Sequence, residues 1–253
     1  MVKNEFQIAT QRRGPLGTVR DAGRRRLPVR YQTDVWDRRF RQRLGTLMRP
    51  GISVLDVGAG RRPMVPAGDR PARVHYVGLD PDGAELARAE PGSYDELVVG
   101  TAEEHVAALE DRFDLVLSFL ALEHVSSTAA VIENARAYLK PGGWLIAQLA
   151  GANSPFSIAN RLLPHGLAKL LLSRTQERAP DTVFRAHYDR GSYSGLVPLL
   201  HGWSHGEVLP LFTGVGYVLF SRVLTAAYIA YEEWAYHSGR RDLAAFYLVC
   251  AQR

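Results

Sequence analysis

The sequence lacks the features that mark secreted and membrane-spanning proteins. Its 253 residues include one cysteine, Cys250, so no disulfide can form within the chain, and we expect a reducing, cytoplasmic compartment. No apolar stretch follows the basic amino-terminal residues, which predicts neither a secretion signal nor a twin-arginine signal. The most apolar later region, 208–231, is interrupted by proline, glycine and arginine, so no membrane span is predicted.

Acidic residues are scarce near the amino terminus. Residues 1–50 hold thirteen Lys or Arg and four Asp or Glu, a net charge of +9, so the whole-chain charge of +5 leaves −4 for the remainder. We interpret residues 1–30 as a basic arm that is flexible or loosely docked. The alternative is an arm that binds phosphate, nucleic acid or a membrane surface. Because no aromatic residues interleave with the arginines, we do not expect nucleic acid to be the partner.

A glycine-rich turn at 54–60, VLDVGAG, organises the first half of the chain. The apolar run 52–55 has the length of a buried strand, and the glycines after it allow a sharp turn and a close approach of backbone to a ligand. The third glycine of a dinucleotide fingerprint is missing, since 61–63 read Arg-Arg-Pro. On its own this motif fits a dinucleotide, S-adenosylmethionine or no ligand.

Strand and helix patterns alternate through the rest of the chain. The predicted fold is therefore α/β, with a doubly wound, mostly parallel, seven-stranded sheet. Asp80 ends the second strand, where a carboxylate can bind both hydroxyls of a ribose. The alternative for Asp80 is a residue that opens an Asp-Pro turn. After the first strand, further strands are predicted at 75–79, 97–100, 113–119, 144–149, 216–221 and 243–251, a turn at 140–143, and helices at 31–49, 83–89, 103–109, 129–139, 204–212 and 223–238.

Five motifs follow one another along residues 52–150. They are VLDVGAG (54–60), VGLDP (77–81), GTAEE (100–104), FDLVLSFLALEHV (113–125) and LKPGGWL (139–145). In the order and spacing of these motifs, residues 52–150 resemble a class I S-adenosylmethionine-dependent methyltransferase, with its Rossmann-like fold. A nicotinamide dehydrogenase would account for the first two motifs and gives no reason for the last two. The resemblance implies an enzyme whose cofactor is S-adenosyl-L-methionine.

The resemblance also implies roles for individual residues in cofactor binding. Asp56, Gly58 and Gly60 would line the methionine and ribose end of the cofactor, and Asp80, followed by Pro81, would hold the ribose hydroxyls. Ala102 and Glu103 would border the adenine, while Ser118 and Phe119 would lie under the sulfonium. The family often has an acid where Thr101 stands, so the adenine contact would come from Thr101, Glu103 or the backbone.

The resemblance and the lengths of the segments together predict the domain organisation. After the arm, residues 31–150 form the predicted cofactor-binding core. Residues 151–203 are too long for a simple crossover, and we interpret them as an inserted helical lid over the methyl donor. Residues 204–253 are expected to complete the sheet.

Three residues are candidates for the catalytic group. Methyl transfer from a sulfonium needs alignment, and a hydroxyl acceptor also needs a base, for which histidine suits neutral pH. His124 follows the fourth strand, while His187 and Tyr188 lie in the polar and aromatic cluster of the lid. Structural roles are the alternatives: His124 as a brace of the next helix, and His187 as a partner of Asp189 or solvent. No tight grouping of oxygen ligands follows the fourth strand, so no metal site is predicted.

The function expected from the sequence is O-methylation of a small molecule, a sugar or a secondary metabolite. An RNA methyltransferase is one alternative, although the fourth strand ends in Ser-Phe-Leu-Ala-Leu rather than in the Asn/Asp-Pro-Pro-aromatic motif of base-amine methylation. A non-catalytic binding protein that retains the fold is the other. A homodimer is left open.

Overall fold

The computed structural model describes residues 27–28, 31–32, 37–162 and 186–253. Most of the predicted basic arm, residues 33–36 of the predicted helix 31–49 and the centre of the predicted lid lie outside these ranges. In chain order the elements are α1 Arg38–Leu47, β1 Ser53–Val57, β2 His75–Asp80, α2 Gly83–Ala87, β3 Glu96–Val99, β4 Phe113–Phe119, α3 Thr128–Tyr138, β5 Leu139–Ala150, α4 Pro155–Leu162, α5 Tyr193–Leu196, β6 His205–Leu211, α6 Arg222–His237 and β7 Phe246–Gln252.

The strands form one seven-stranded sheet in the order β3-β2-β1-β4-β5-β7-β6, which confirms the predicted fold class. Strands β1 to β5 are parallel to one another, and β7 runs antiparallel to both β5 and β6. From β1 the chain first winds outward to β2 and β3, and then returns to place β4 on the other side of β1. Ligands of open α/β sheets bind outside the carboxyl ends of the strands at such a reversal.

Side chains alternate along the strands and build a core on each face of the sheet. On one face, Val54 and Leu117 pack with Phe40 and Leu44 of α1. The opposite face packs against α3. Helix α3 begins at a serine cap, where the Ser127 hydroxyl accepts from an amide three residues on. The sheet thus has helices on both faces, as a doubly wound fold requires.

Segment 204–212 is a strand rather than the predicted helix. All of β6 pairs with β7, from His205 opposite Gln252 to Leu211 opposite Phe246. Ser204, just before β6, donates its hydroxyl to the carbonyl of Gln252 at 2.9 Å. Pro210 fits this assignment because β6 is an edge strand, where a missing N–H costs no ladder bond.

The other differences also come from long-range contacts. The predicted strand 216–221 is absent, and a 3-10 turn at Gly214–Tyr217 stacks Tyr217 on Phe156 with 3.8 Å between ring centres. The predicted turn 140–143 lies inside β5, where the pairing with β4 shifts register. The predicted helix 103–109 is reduced to the 3-10 turn Ala107–Leu109.

Two further observations bear on the sequence predictions. No helix within the described ranges is long and apolar enough to cross a membrane. Cys250 is buried in β7, and burial raises the pKa of its thiol to about 11. This thiol is therefore a core group, as the apolar run around it predicts.

Candidate active site

The glycine turn after β1 packs against the segment that follows β4. Gly58 has a φ of +76°, and a Cβ there would lie 2.4 Å from the Cβ of Ala121. Its N–H donates to the carbonyl of Leu79, near the end of β2, at 2.9 Å. A side chain at Gly58 would therefore separate the two loops. Only glycine satisfies both the backbone angle and the close contact.

Asp80 joins the end of β2 to this turn. Its Oδ2 accepts from the N–H of Gly60 at 2.9 Å, and its Oδ1 accepts from the N–H of Asp82 at the same distance. Burial raises the pKa of Asp80, although these two hydrogen bonds oppose the shift. A carboxylate has about four acceptor positions, so two of them stay available to a ligand. A Cβ at Gly60 would meet no atom within 4 Å, so the turn faces open space there. Pro81 is exposed beside Asp80.

Asp56 binds inward, to the loop that follows the turn. Its Oδ2 accepts from the N–H of Met64 at 2.8 Å and from the hydroxyl of Tyr76 at 2.7 Å. The side chain is 3% exposed, and burial raises the pKa of its carboxyl from 3.8 to about 6 against the opposing effect of these hydrogen bonds. In the structure, this carboxylate ties β1 to β2 and to the loop at Met64.

Ser118 and Phe119, at the end of β4, are also held by the protein. The buried hydroxyl of Ser118 donates to the carbonyl of Val57 at 3.0 Å and so links the ends of β4 and β1. The ring of Phe119 lies 4.8 Å from that of Phe40 in α1. Both residues lie at the carboxyl end of β4, and these contacts hold that end of the sheet in place.

The side chain of Glu103 lies beside the start of α3 and contacts the residues that precede the helix. Its Oε1 accepts from the N–H groups of Ser126 at 2.9 Å and Ser127 at 2.8 Å. Burial opposes ionisation, yet the hydrogen bonds from the two serines outweigh it, and the pKa of Glu103 lies below its ordinary value. The neighbouring Ala102 accepts at its carbonyl from the side-chain amide of Asn134 in α3, at 3.0 Å.

The backbones of the three predicted catalytic residues lie next to Glu123. The carbonyl of Glu123 accepts from the N–H of His187 at 2.8 Å and from that of Tyr188 at 3.0 Å, and His124 is the next residue along the chain. Segment 186–190 is therefore held against the loop after β4. His187 is exposed, whereas Tyr188 is buried and its hydroxyl accepts from the side-chain amide of Asn160 in α4 at 3.2 Å.

Sequence reasoning gave Asp189 no role of its own. Its carboxylate accepts from the N–H of Thr128, the first residue of α3, at 2.8 Å, and its carbonyl accepts from the Thr128 hydroxyl at 2.7 Å. Two carboxylates, those of Glu103 and Asp189, thus occupy one helix start, where negative charge is favourable. The pairing of Asp189 with Thr128 spans 61 residues, and no local sequence pattern predicts it.

The described side chains offer no group of three or more histidines, cysteines and acids arranged to hold a metal ion. The carboxyl ends of β1 and β2 thus carry a glycine turn and the Asp80 carboxylate. The loop after β4 packs on that turn at Ala121, carries His124 and holds the backbone of His187. Such a site can bind a nucleoside and supply a base.

The raised pKa of Asp56 gives a testable pH dependence. Between the ordinary pKa of 3.8 and the folded value of about 6, the folded state holds a proton that the unfolded state has released. Stability from this group is thus present at low pH and lost as the pH rises through 6. Relative to Asp56→Asn, the wild type should lose about 2 kcal/mol of unfolding free energy between about pH 4 and about pH 7.5.

Urea denaturation of both proteins across this range measures the difference, and every other titrating group is common to both. The raised pKa of Asp56 would be contradicted if the difference in unfolding free energy between the two proteins stayed constant with pH. It would also be contradicted if the wild type gained stability relative to Asp56→Asn as the pH rose.

Comparison with known proteins identifies the family of this chain. The family model described as a methyltransferase domain matches residues 28–192, more than half of the chain. A ubiquinone biosynthesis O-methyltransferase from Cereibacter sphaeroides is 30% identical over 172 residues, which cover 61% of this chain and 68% of that protein. The protein of the same name from Thiobacillus denitrificans is 29% identical over 133 residues, 51% of this chain and 57% of that protein.

Solved structures share the fold. Phosphoethanolamine N-methyltransferase 2 of Haemonchus contortus, in complex with S-adenosyl-L-methionine, aligns with a TM-score of 0.52 at 16% identity over 86% of this chain. This chain spans 52% of that protein's length. An S-adenosylmethionine-dependent methyltransferase from Mesorhizobium loti aligns with a TM-score of 0.50 at 18% identity, over 88% of this chain and all of that one. The chain belongs to the class I S-adenosylmethionine-dependent methyltransferases, enzymes whose cofactor is S-adenosyl-L-methionine.

Proposed function

We propose that the protein methylates a hydroxyl oxygen of a small molecule. The observation that carries the proposal is the packing of Gly58 against Ala121, which brings the turn bound by Asp80 next to the loop where Glu123 holds His187 and Tyr188. Oxygen as the acceptor atom is supported by the printed names of relatives at about 30% identity, which are O-methyltransferases of ubiquinone biosynthesis. Sugars and secondary metabolites remain within the proposed acceptor class.

The residues at the carboxyl ends of the strands fit the cofactor. Asp80 has acceptor positions left for the two ribose hydroxyls, and the open space at Gly60 leaves room for the methionine end. Gly58 and Pro81 shape the two loops beside it. On the adenine side, the proposed border is Ala102 with Glu103, whose other contacts hold it against the start of α3. In this proposal Asp56, Ser118 and Phe119 act by bracing the edge.

The chain's own residues supply alignment and a base. The bound cofactor supplies a methyl group on a sulfonium, which is already a good leaving group. The acceptor hydroxyl loses its proton during transfer, and His187 and His124 are the candidate bases. Tyr188 is the third candidate, with its hydroxyl oriented by Asn160. The backbone contacts at Glu123 hold all three near one point.

Domain boundaries and setting are part of the proposal. Residues 31–150 would form the cofactor core, 151–203 a lid and 204–253 the completion of the sheet. The lid is supported at its described ends, where α4 and segment 186–190 meet through Asn160 and Tyr188. A cytoplasmic, reducing setting is supported by the single, buried cysteine. The homodimer remains a prediction, for sedimentation to test.

Methyl transfer with a labelled donor tests the proposed activity. The protein is incubated with methyl-labelled S-adenosylmethionine and catechol, methyl glucoside or total RNA in separate reactions. We expect the label on a hydroxyl of one of the small molecules, identified by mass spectrometry. Label in RNA, with salt-dependent RNA retention, would replace the proposal with the nucleic-acid alternative. Binding of S-adenosylhomocysteine with no transfer to any probe would favour a non-catalytic protein.

Substitution of the histidines identifies the base. With the acceptor that is methylated, His187→Ala or His124→Ala should lower turnover by about a hundredfold if that residue removes the proton, while cofactor affinity stays unchanged. His201→Ala, an exposed histidine elsewhere, is the matched control and should retain full turnover. Unchanged turnover in both site variants would remove histidine from the mechanism and leave Tyr188 or alignment alone.

Asp80 can be tested by a change that keeps its size. Asp80→Asn removes the charge and one acceptor oxygen, so affinity for S-adenosylhomocysteine should fall about ten- to a hundredfold. Asp82→Asn, two residues on, is the matched control because its carboxylate only caps α2 through Ala84 and Glu85. Titration calorimetry measures both. An affinity within about twofold of wild type for Asp80→Asn would make Asp80 a turn residue only.

A further inference from the structure

Tyr94 reaches the glycine turn from the segment between α2 and β3. Its hydroxyl lies 2.8 Å from the carbonyl oxygen of Ala59 and 3.2 Å from that of Gly60. The hydroxyl has one hydrogen, so the two carbonyls share it, with the shorter bond going to Ala59. The contact joins residues 35 apart in the chain.

A glycine in β2 makes room for this tyrosine. A Cβ at Gly78 would lie 2.8 Å and 2.9 Å from two ring carbons of Tyr94 and 3.1 Å from the Cβ of Ala59. Any side chain at Gly78 would push the ring away from the turn. A glycine inside a strand often marks a close approach of this kind.

The tyrosine is supported from behind. Its ring lies 5.9 Å from that of Tyr76, and the guanidinium of Arg70 lies 3.8 Å above the Tyr76 ring. Arg70 also donates to the carbonyls of Ser93 and Val65, which hold both the segment that carries Tyr94 and the loop after the turn. Burial, and then the charge of Asp56, raise the pKa of Tyr94, so its hydroxyl remains a donor.

The peptide between Ala59 and Gly60 is bound at both of its polar ends. Its carbonyl accepts from Tyr94 at 2.8 Å, and its N–H donates to Oδ2 of Asp80 at 2.9 Å. In a trans peptide these two groups point in opposite directions, so two partners on opposite sides fix the plane of the peptide. Asp80 and Tyr94 therefore act on the same rigid unit.

We propose that Tyr94 is a positioning residue that orients Asp80 toward the cofactor ribose through the Ala59–Gly60 peptide. The inference rests on the proposed role of Asp80. Without the Tyr94 hydroxyl, the peptide can rotate and the Asp80 carboxylate loses a fixed partner. The cost of ordering the site then falls on cofactor binding, because preorganisation is lost.

Tyr94→Phe tests the proposal because it removes the hydroxyl and keeps the ring in the Gly78 slot. We expect the Kd for S-adenosylhomocysteine to rise about three- to tenfold, with KM for S-adenosylmethionine rising and kcat little changed. The matched control is Tyr231→Phe, which also removes a tyrosine hydroxyl bonded to a backbone carbonyl, that of Leu243 at 3.0 Å. Its affinity should stay within about twofold of wild type.

The double variant Tyr94→Phe with Asp80→Asn separates positioning from a general structural effect. Because both residues act through one peptide, the double variant should bind little more weakly than Asp80→Asn alone. Additive losses, an unchanged Kd in Tyr94→Phe, or failure of Tyr94→Phe to fold would each overturn the proposal. Failure of the proposed role of Asp80 is recognised separately: Asp80→Asn would then bind as the wild type does.

Discussion

The buried carboxylate of Asp56 is the group on which the cofactor side of the site depends. It holds the end of β1 to Tyr76 in β2 and to the amide of Met64, and so closes the loop that begins at Gly58. A carboxylate this far from solvent is costly in its charged form. This cost falls at a position where a single side chain joins two strands and a loop. The raised pKa of Asp56 reflects the cost of burying the charged carboxylate.

The segment that carries His187 and Tyr188 is held largely by backbone hydrogen bonds. Segment 186–190 returns to the sheet through two amides on the carbonyl of Glu123, and Asp189 then fastens it to the start of α3. The same helix start receives the carboxylate of Glu103. Displacement of α3 would therefore disturb both Glu103 and segment 186–190.

Much of the fold followed from periodicity because its contacts are regular. Strands β2 and β4 have nearly the predicted bounds, and the carboxyl ends of parallel strands bring Asp80 to the glycine turn. The helix predicted for segment 204–212 is wrong because a serine before an apolar run also fits a helix, and only the pairing with β7 selects the strand. The partners of Tyr94, Glu103 and Asp189 lie 23 to 61 residues away, and local patterns hold no information about such pairs.

The solitary cysteine has a practical consequence. The thiolate is the reactive form of cysteine, and Cys250 lies within β7 with a thiol pKa of about 11. The natural protein is thus close to a cysteine-free background for thiol labelling. A cysteine introduced at exposed His187 would be the preferred target of a maleimide dye. The fluorescence of that dye would then follow segment 186–190 in solution, with no need to engineer the rest of the chain.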